Sequence, residues 1–134
     1  MPEPKIQVAA AVIERDGLIL IGQRKRGSRH SLKWEFPGGK LEPGETPRAA
    51  LPRELREELA IHAVIGEELD SYDIQYPGGT LTRLFFYRVT EFSGEPQNLD
   101  FEQIVWELRS LLLTYDFLDG DRAFIRKLSA NSLG

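Results

Sequence analysis

The sequence predicts an α+β domain, with strands and two helices in a mixed or sandwiched (α/β/α) arrangement. Three observations carry this. Two apolar runs, residues 6–14 and 18–23, flank Asp16-Gly17, a dipeptide that favours the tight turn of a β-hairpin. Residues 46–59 open on Thr46-Pro47 and continue with helical spacing. Two further strand-like runs and a second helical pattern follow, all within 134 residues, the size of one ordinary domain. A single domain over 1–134 is therefore expected.

The elements can be justified in order. Residues 6–14, IQVAAAVIE, are nearly continuous in apolar character, as in a strand covered on both faces. Leu18–Gln23 is the returning strand. The basic stretch 24–33, which holds Gly27, Ser28 and Ser31, reads as a loop. Residues 33–36 make a short strand, expected to stop at Pro37-Gly38-Gly39. After a second turn at Glu42-Pro43-Gly44-Glu45, Thr46 is the expected N-cap and Pro47 the first helical residue, where a missing N–H costs nothing. Pro52 lies inside this helix and implies a kink or a late start. Residues 62–75 and 81–90 read as two strands joined at Tyr76-Pro77-Gly78-Gly79. A loop at 93–98 leads to a short apolar stretch near Trp106. The tail, 119–129, has helical spacing at Ala123, Phe124 and Leu128.

Composition bounds the function. Seventeen Lys and Arg against twenty-one Asp and Glu give a net charge of −4, a poor balance for binding polymeric nucleic acid. The absence of cysteine excludes disulfides, thiolate zinc sites and a cysteine nucleophile. No apolar run approaches the roughly 20 residues that span a bilayer, so no membrane association is expected. The opening residues lack the apolar region of a secretory signal, and a cytoplasmic location is expected. The sequence carries no signal for oligomeric state.

The most informative pattern is the acidic helix. At about 100° per residue, with Glu54 at zero, Glu57 falls near 300° and Glu58 near 40°. Leu51, Leu55 and Leu59 form one apolar stripe at about 60–140°, and Arg53 and Arg56 take the remaining, wetter side. Such a run also suits an ordinary solvated helix with i,i+4 pairs, Arg53–Glu57 among them. Against that, three like charges border the buried stripe, where their repulsion calls for a cation. Oxygen-only ligation suits a hard divalent ion, Mg²⁺ or Mn²⁺.

Loop and helix together resemble the signature of the Nudix hydrolases: Gly39, then Glu45, then Arg53-Glu54-Leu55-Arg56-Glu57-Glu58, closed by Leu59, Ala60 and Ile61. The match spans 23 residues, with one departure, Ala60 where the family has glycine. Alanine resists the left-handed cap, so the helix is expected to end differently. The stretch WEFPGGKLEPGETP resembles the MutT-type branch, which includes nucleoside triphosphate pyrophosphohydrolases. The resemblance implies a Nudix fold, a mixed β-sheet sandwiched between α-helices, and attack of water on the phosphorus of a nucleoside triphosphate. Oxidised or cytidine nucleotides are candidate substrates.

By position, the resemblance makes Glu54, Glu57 and Glu58 metal-ligating carboxylates and the Gly38 carbonyl a further ligand, with Glu45 acting through water and Arg53 orienting Glu57. Aligning on Trp106 adds Asp100, with Glu102 as the competing choice. Arg24 matches a position facing the phosphates in similar proteins, though its loop can equally be solvated, and Lys40 is a weaker phosphate candidate. Glu35 and Asp121 match base-reading positions, against plainer readings as a surface residue and a helix N-cap. Trp34, Phe36, Phe85 and Phe86 read as core, with one free to stack on a base. Two alternatives stay open: a dinucleoside polyphosphate or sugar nucleotide as substrate, or a non-catalytic nucleotide-binding module.

Overall fold

The computed structural model describes residue 4 and residues 6–130. β1 (Ile6–Arg15) is the strand around which the rest is arranged. It pairs in parallel with β7 (Leu81–Val89), from Ile6 opposite Thr82 to Ile13 opposite Val89. On its other side it pairs antiparallel with β4 (Gly38–Lys40) and, at its end, with β2 (Leu18–Gln23). Asp16 and Gly17 both have positive φ, 54° and 79°, which is the hairpin turn their sequence favours. β3 (Trp34–Glu35) and β9 (Gln103–Leu108) extend the sheet from β2, and β6 (Glu68–Gln75) extends it from β7.

The near-continuous apolar character of β1 follows from its two covered faces. Ala9, Ala11 and Ile13 point to one face and meet Leu51, Leu55 and Leu59 of α1 (Pro47–Leu59). Ala10 and Val12 point to the other and meet Phe86, Phe117 and the residues Phe124, Ile125 and Leu128 of α2 (Arg122–Ser129). The sheet is thus mixed and lies between two helices. Among the described residues no helix is long and apolar enough to cross a membrane.

Several expectations are corrected. Pro37-Gly38-Gly39 does not simply stop β3; the chain re-enters the sheet as β4, with Gly38–Lys40 opposite Val8–Ala10. The single strand expected over 62–75 is two. β5 (His62–Val64) leaves the main sheet to pair with β8 (Glu91–Ser93), and β6 begins only at Glu68. Gly66 lies at the break, its amide donating to the Arg88 carbonyl at 2.8 Å. The apolar stretch near Trp106 is a full strand, β9, in register with β2 from Leu108 opposite Leu18 to Gln103 opposite Gln23. A 3-10 helix over Arg109–Thr114 has no counterpart in the sequence reading.

Helix α1 keeps its expected start, with the Thr46 hydroxyl accepting from the Ala49 amide at 3.2 Å. It runs unbroken through Pro52 to Leu59, neither starting late nor interrupted. The ring removes one helical donor, to the Arg48 carbonyl, while the apolar stripe continues to Leu55 and Leu59. Nor does Ala60 change the cap. It adopts the left-handed conformation itself (φ 57°, ψ 34°), and its amide donates to the Arg56 carbonyl at 3.1 Å. An L-residue holds that conformation at a cost of about 1–2 kcal/mol, which the buried Leu55, Leu59 and Ile61 around it offset. Ala60→Gly is therefore expected to stabilise the protein by about 1 kcal/mol in urea denaturation. A midpoint that is unchanged or lower would show that the cap carries no strain.

Candidate active site

Helix α1 lies against the Gly38-Gly39 segment, and the contact leaves no room for side chains. A Cβ on Gly38, whose φ is 147°, would sit 2.0 Å from the Ala9 carbonyl oxygen. One on Gly39 would fall 2.6 Å from the Glu54 carboxyl carbon. The Gly38 amide donates to Glu58 Oε1 at 3.0 Å. Of the three glutamates, Glu58 is buried, Glu54 half-buried and Glu57 exposed.

Arg53 is not on the wetter side. Its guanidinium makes a two-point pair with Glu45 (3.0 and 2.9 Å) and reaches Glu54 at 3.2 Å and Glu42 and Glu57 at 3.5 Å. The two-point pair with Arg53 holds the Glu45 carboxyl below its usual range. Burial raises Glu54 despite Arg53, with Glu57 and Glu45 adding repulsion. Glu58, beyond the reach of Arg53, is pushed up to about 9 by burial, against the pull of the Gly38 amide. Glu54, Glu35 and Asp100 add repulsion there.

Among the described residues no three acidic side chains converge closely enough to hold one ion, because Arg53 draws Glu54 and Glu57 while Gly38 draws Glu58. The donor set nevertheless fits a hard divalent cation. It is all oxygen, it is crowded with like charge, and burial raises its two less exposed members, Glu54 and, to about 9, Glu58.

The same groove continues into a cavity of about 650 Å³. Ala9, Ala10, Ile6, Val8, Leu84 and Phe86 supply apolar wall, and Glu35, Glu58, Asp100 and Asp121 supply carboxyls. Asp100 thus lies on the cavity, whereas Glu102 accepts from the Arg26 amide at 3.1 Å in the basic loop. Lys40 is exposed at the rim. Arg24 also lines the cavity, but its guanidinium is engaged with the Arg29 carbonyl (2.7 Å) and Glu35 (3.1 Å). Glu35 is accordingly not a free surface residue. Burial raises its carboxyl, and Arg24 opposes the shift.

Asp121 precedes α2 at the N-cap position, yet makes no capping hydrogen bond. It is 93% buried and faces the cavity, and burial pushes it up to about 8, with Glu35 adding repulsion. Trp34, Phe36 and Phe86 belong to the core on this side, with Phe36 and Phe86 also forming cavity wall, while Phe85 packs on the α1 side. Sequence reasoning missed Tyr76 and His30, whose rings lie 5.5 Å apart at the cavity. For Tyr76 the one available signal was the alternation of Tyr72, Ile74 and Tyr76 along β6 and just past its end.

Residues 3–128 match the family profile described as NUDIX domain. The chain belongs to the Nudix hydrolase family. It is 42% identical to a CTP pyrophosphohydrolase of Escherichia coli over 116 residues, 87% of this chain and 85% of the relative. It is 36% identical to an 8-oxo-dGTP diphosphatase of Haemophilus influenzae, covering 96% of this chain and 94% of that one. The solution structure of the E. coli ORF135 protein superposes with a TM-score of 0.84 at 39% identity, covering 95% of this chain and 90% of the other. The α+β Nudix fold expected from the sequence is the one observed.

The pKa of Asp121 makes stability depend on pH. Its folded value of about 8 lies above the ordinary aspartate value of 3.8, so between those limits the folded state holds a proton that the unfolded state has released. Stability therefore falls as pH rises through that window. Asp121→Asn removes the titration, so its urea midpoint should fall less than that of the wild type between pH 5 and pH 8. Parallel curves for the two proteins would show that Asp121 is ionised in the folded state.

Proposed function

We propose that this Nudix hydrolase is a divalent-metal-dependent nucleoside triphosphate pyrophosphohydrolase, cleaving an NTP or dNTP with water to the monophosphate and pyrophosphate. The observation that carries the reading is a shared wall: Glu58 of the acidic helix and Asp121 beside α2 line one cavity. A nucleotide whose base lies near Asp121 then has its phosphates directed toward α1. The names of the two relatives, one for CTP and one for 8-oxo-dGTP, support a nucleotide of this kind.

Glu54, Glu57 and Glu58, with Asp100 and the Gly38 carbonyl, would hold Mg²⁺ or Mn²⁺. A bound divalent ion supplies charge neutralisation on the phosphates and a lowered pKa for the attacking water. Arg53 fixes the rotamers of Glu54 and Glu57 and ties the Glu42–Glu45 turn to the helix. Lys40 at the rim gives the phosphate chain a cation. Arg24 acts here by holding Glu35 and the 24–33 loop backbone in the cavity wall, with the phosphates as its second target.

Glu35 and Asp121 read the base. Asp121, protonated below about pH 8, offers one donor and one acceptor, and the ion-paired Glu35 offers acceptors. Cytosine, with an amino group beside a ring acceptor, satisfies both, as does 8-oxoguanine with its several N–H groups. Uracil has a single N–H between two carbonyls and sets a carbonyl against a carboxylate.

The test is phosphate release from a nucleotide panel with and without Mg²⁺, on wild type and Glu57→Gln. Glu57 is 57% exposed, so the variant is expected to fold with little change in Tm. Its kcat at saturating Mg²⁺ should fall on the order of a hundredfold. Activity within about threefold of wild type would end the assignment of Glu57. Equal turnover with and without Mg²⁺ would end that of the metal.

A further inference from the structure

Gly120, the residue before Asp121, is held by two tyrosine hydroxyls from the opposite edge of the sheet. Tyr72 of β6 donates to the Gly120 carbonyl at 2.5 Å, and the Tyr72 hydroxyl oxygen in turn accepts from the Phe124 amide at 3.3 Å. The Tyr76 hydroxyl, just beyond the end of β6, lies against the Gly120 backbone. The approach requires glycine, since a Cβ at position 120 would stand 2.2 Å from that hydroxyl and 3.1 Å from Leu84 Cδ1. From the other side, residues 116–118 are tied to β3: the Trp34 amide donates to the Asp116 carbonyl at 2.9 Å, and the Leu118 amide to the Trp34 carbonyl at 3.0 Å. The 3-10 turn at Asp119–Asp121 is thus clamped between β3, which carries Glu35, and β6, which carries Tyr72.

A buried carboxyl without a capping partner keeps a defined direction only if its backbone is fixed. We propose that Tyr72 and Tyr76 are positioning residues for base selection: by gripping Gly120 with their hydroxyls they set the direction of the Asp121 carboxyl in the cavity wall. They touch the turn and leave the acidic helix alone, so they serve discrimination among bases and not the chemical step. The inference rests on the reading of Asp121 as a base reader.

The conservative variant is Tyr72→Phe. Its ring stays packed against Phe86, 5.6 Å away, and only the hydroxyl is lost. Steady-state kinetics on CTP, 8-oxo-dGTP and UTP would be measured for wild type, Tyr72→Phe, Tyr76→Phe, Asp121→Ala and the Tyr72→Phe/Asp121→Ala double variant. Asp121→Ala should compress the preference among the three bases by about tenfold. Tyr72→Phe should compress it by about threefold to tenfold through KM, with kcat on the best substrate held within about twofold. Tyr76→Phe should act in the same direction. In the double variant the tyrosine change should alter the preference no further, because its effect passes through Asp121. If Asp121→Ala compresses the preference while both tyrosine variants lower only Tm, the positioning role is overturned and the base-reader reading stands. If Asp121→Ala leaves the preference intact, the base-reader reading fails and the positioning role fails with it.

Discussion

The close packing of Gly38-Gly39 between β1 and α1 is the constraint on which the acidic end of the molecule depends. Two residues without side chains let the backbone lie against the Ala9 carbonyl on one side and the Glu54 carboxyl on the other. That approach brings the Gly38 amide to Glu58 and fixes where the helix stands above the sheet. A side chain at 38 would run into the β1 backbone, and one at 39 would displace the Glu54 carboxyl. The same α1 packs Leu51, Leu55 and Leu59 on Ala9, Ala11 and Ile13 of β1. The glycines are therefore as much a packing requirement as a loop.

Because β1 is buried on both faces, it joins two regions with different tasks. Its α1 side carries the carboxylates; its α2 side, where Ala10 leaves space, opens into the cavity. The small alanines matter here. A larger residue at 10 would fill the space that Glu35, Asp121 and the apolar side chains enclose. One strand thereby sets the distance between the acidic helix and the Asp121 side of the cavity.

Charge is distributed unevenly along this groove. Arg53 gathers Glu42, Glu45, Glu54 and Glu57, and its two-point pair holds the Glu45 carboxyl below its usual range. Glu58 and Asp121 have no such partner, and burial holds both protonated near neutral pH. The groove thus carries ion-paired carboxylates around Arg53 and neutral ones at Glu58 and Asp121. A cation entering the α1 face would change that balance, since it would favour the charged form of Glu58.

The sequence by itself determined the hairpin at Asp16-Gly17, the start of α1 at Thr46-Pro47 and the spacing of its glutamates. Each depends on backbone preference or helical period, which are local. It also pointed to Gly38, Glu35, Asp100 and Asp121 through their likeness to a family, without a local reason for any of them. Only the tertiary structure decided the rest. Arg53 turns inward because Glu45 comes from a separate turn, and Ala60 takes a left-handed cap because the residues around it are already buried. The segment after Pro37 becomes a strand because β1 offers it a free edge, and the 62–75 run divides because β8 offers β5 another partner. Asp121 lies on the cavity and makes no capping hydrogen bond, and the Gly120 carbonyl before it accepts from Tyr72, 48 residues from Gly120 in the chain. Contacts over that separation leave no trace in local propensity or period, so only the folded chain could show them.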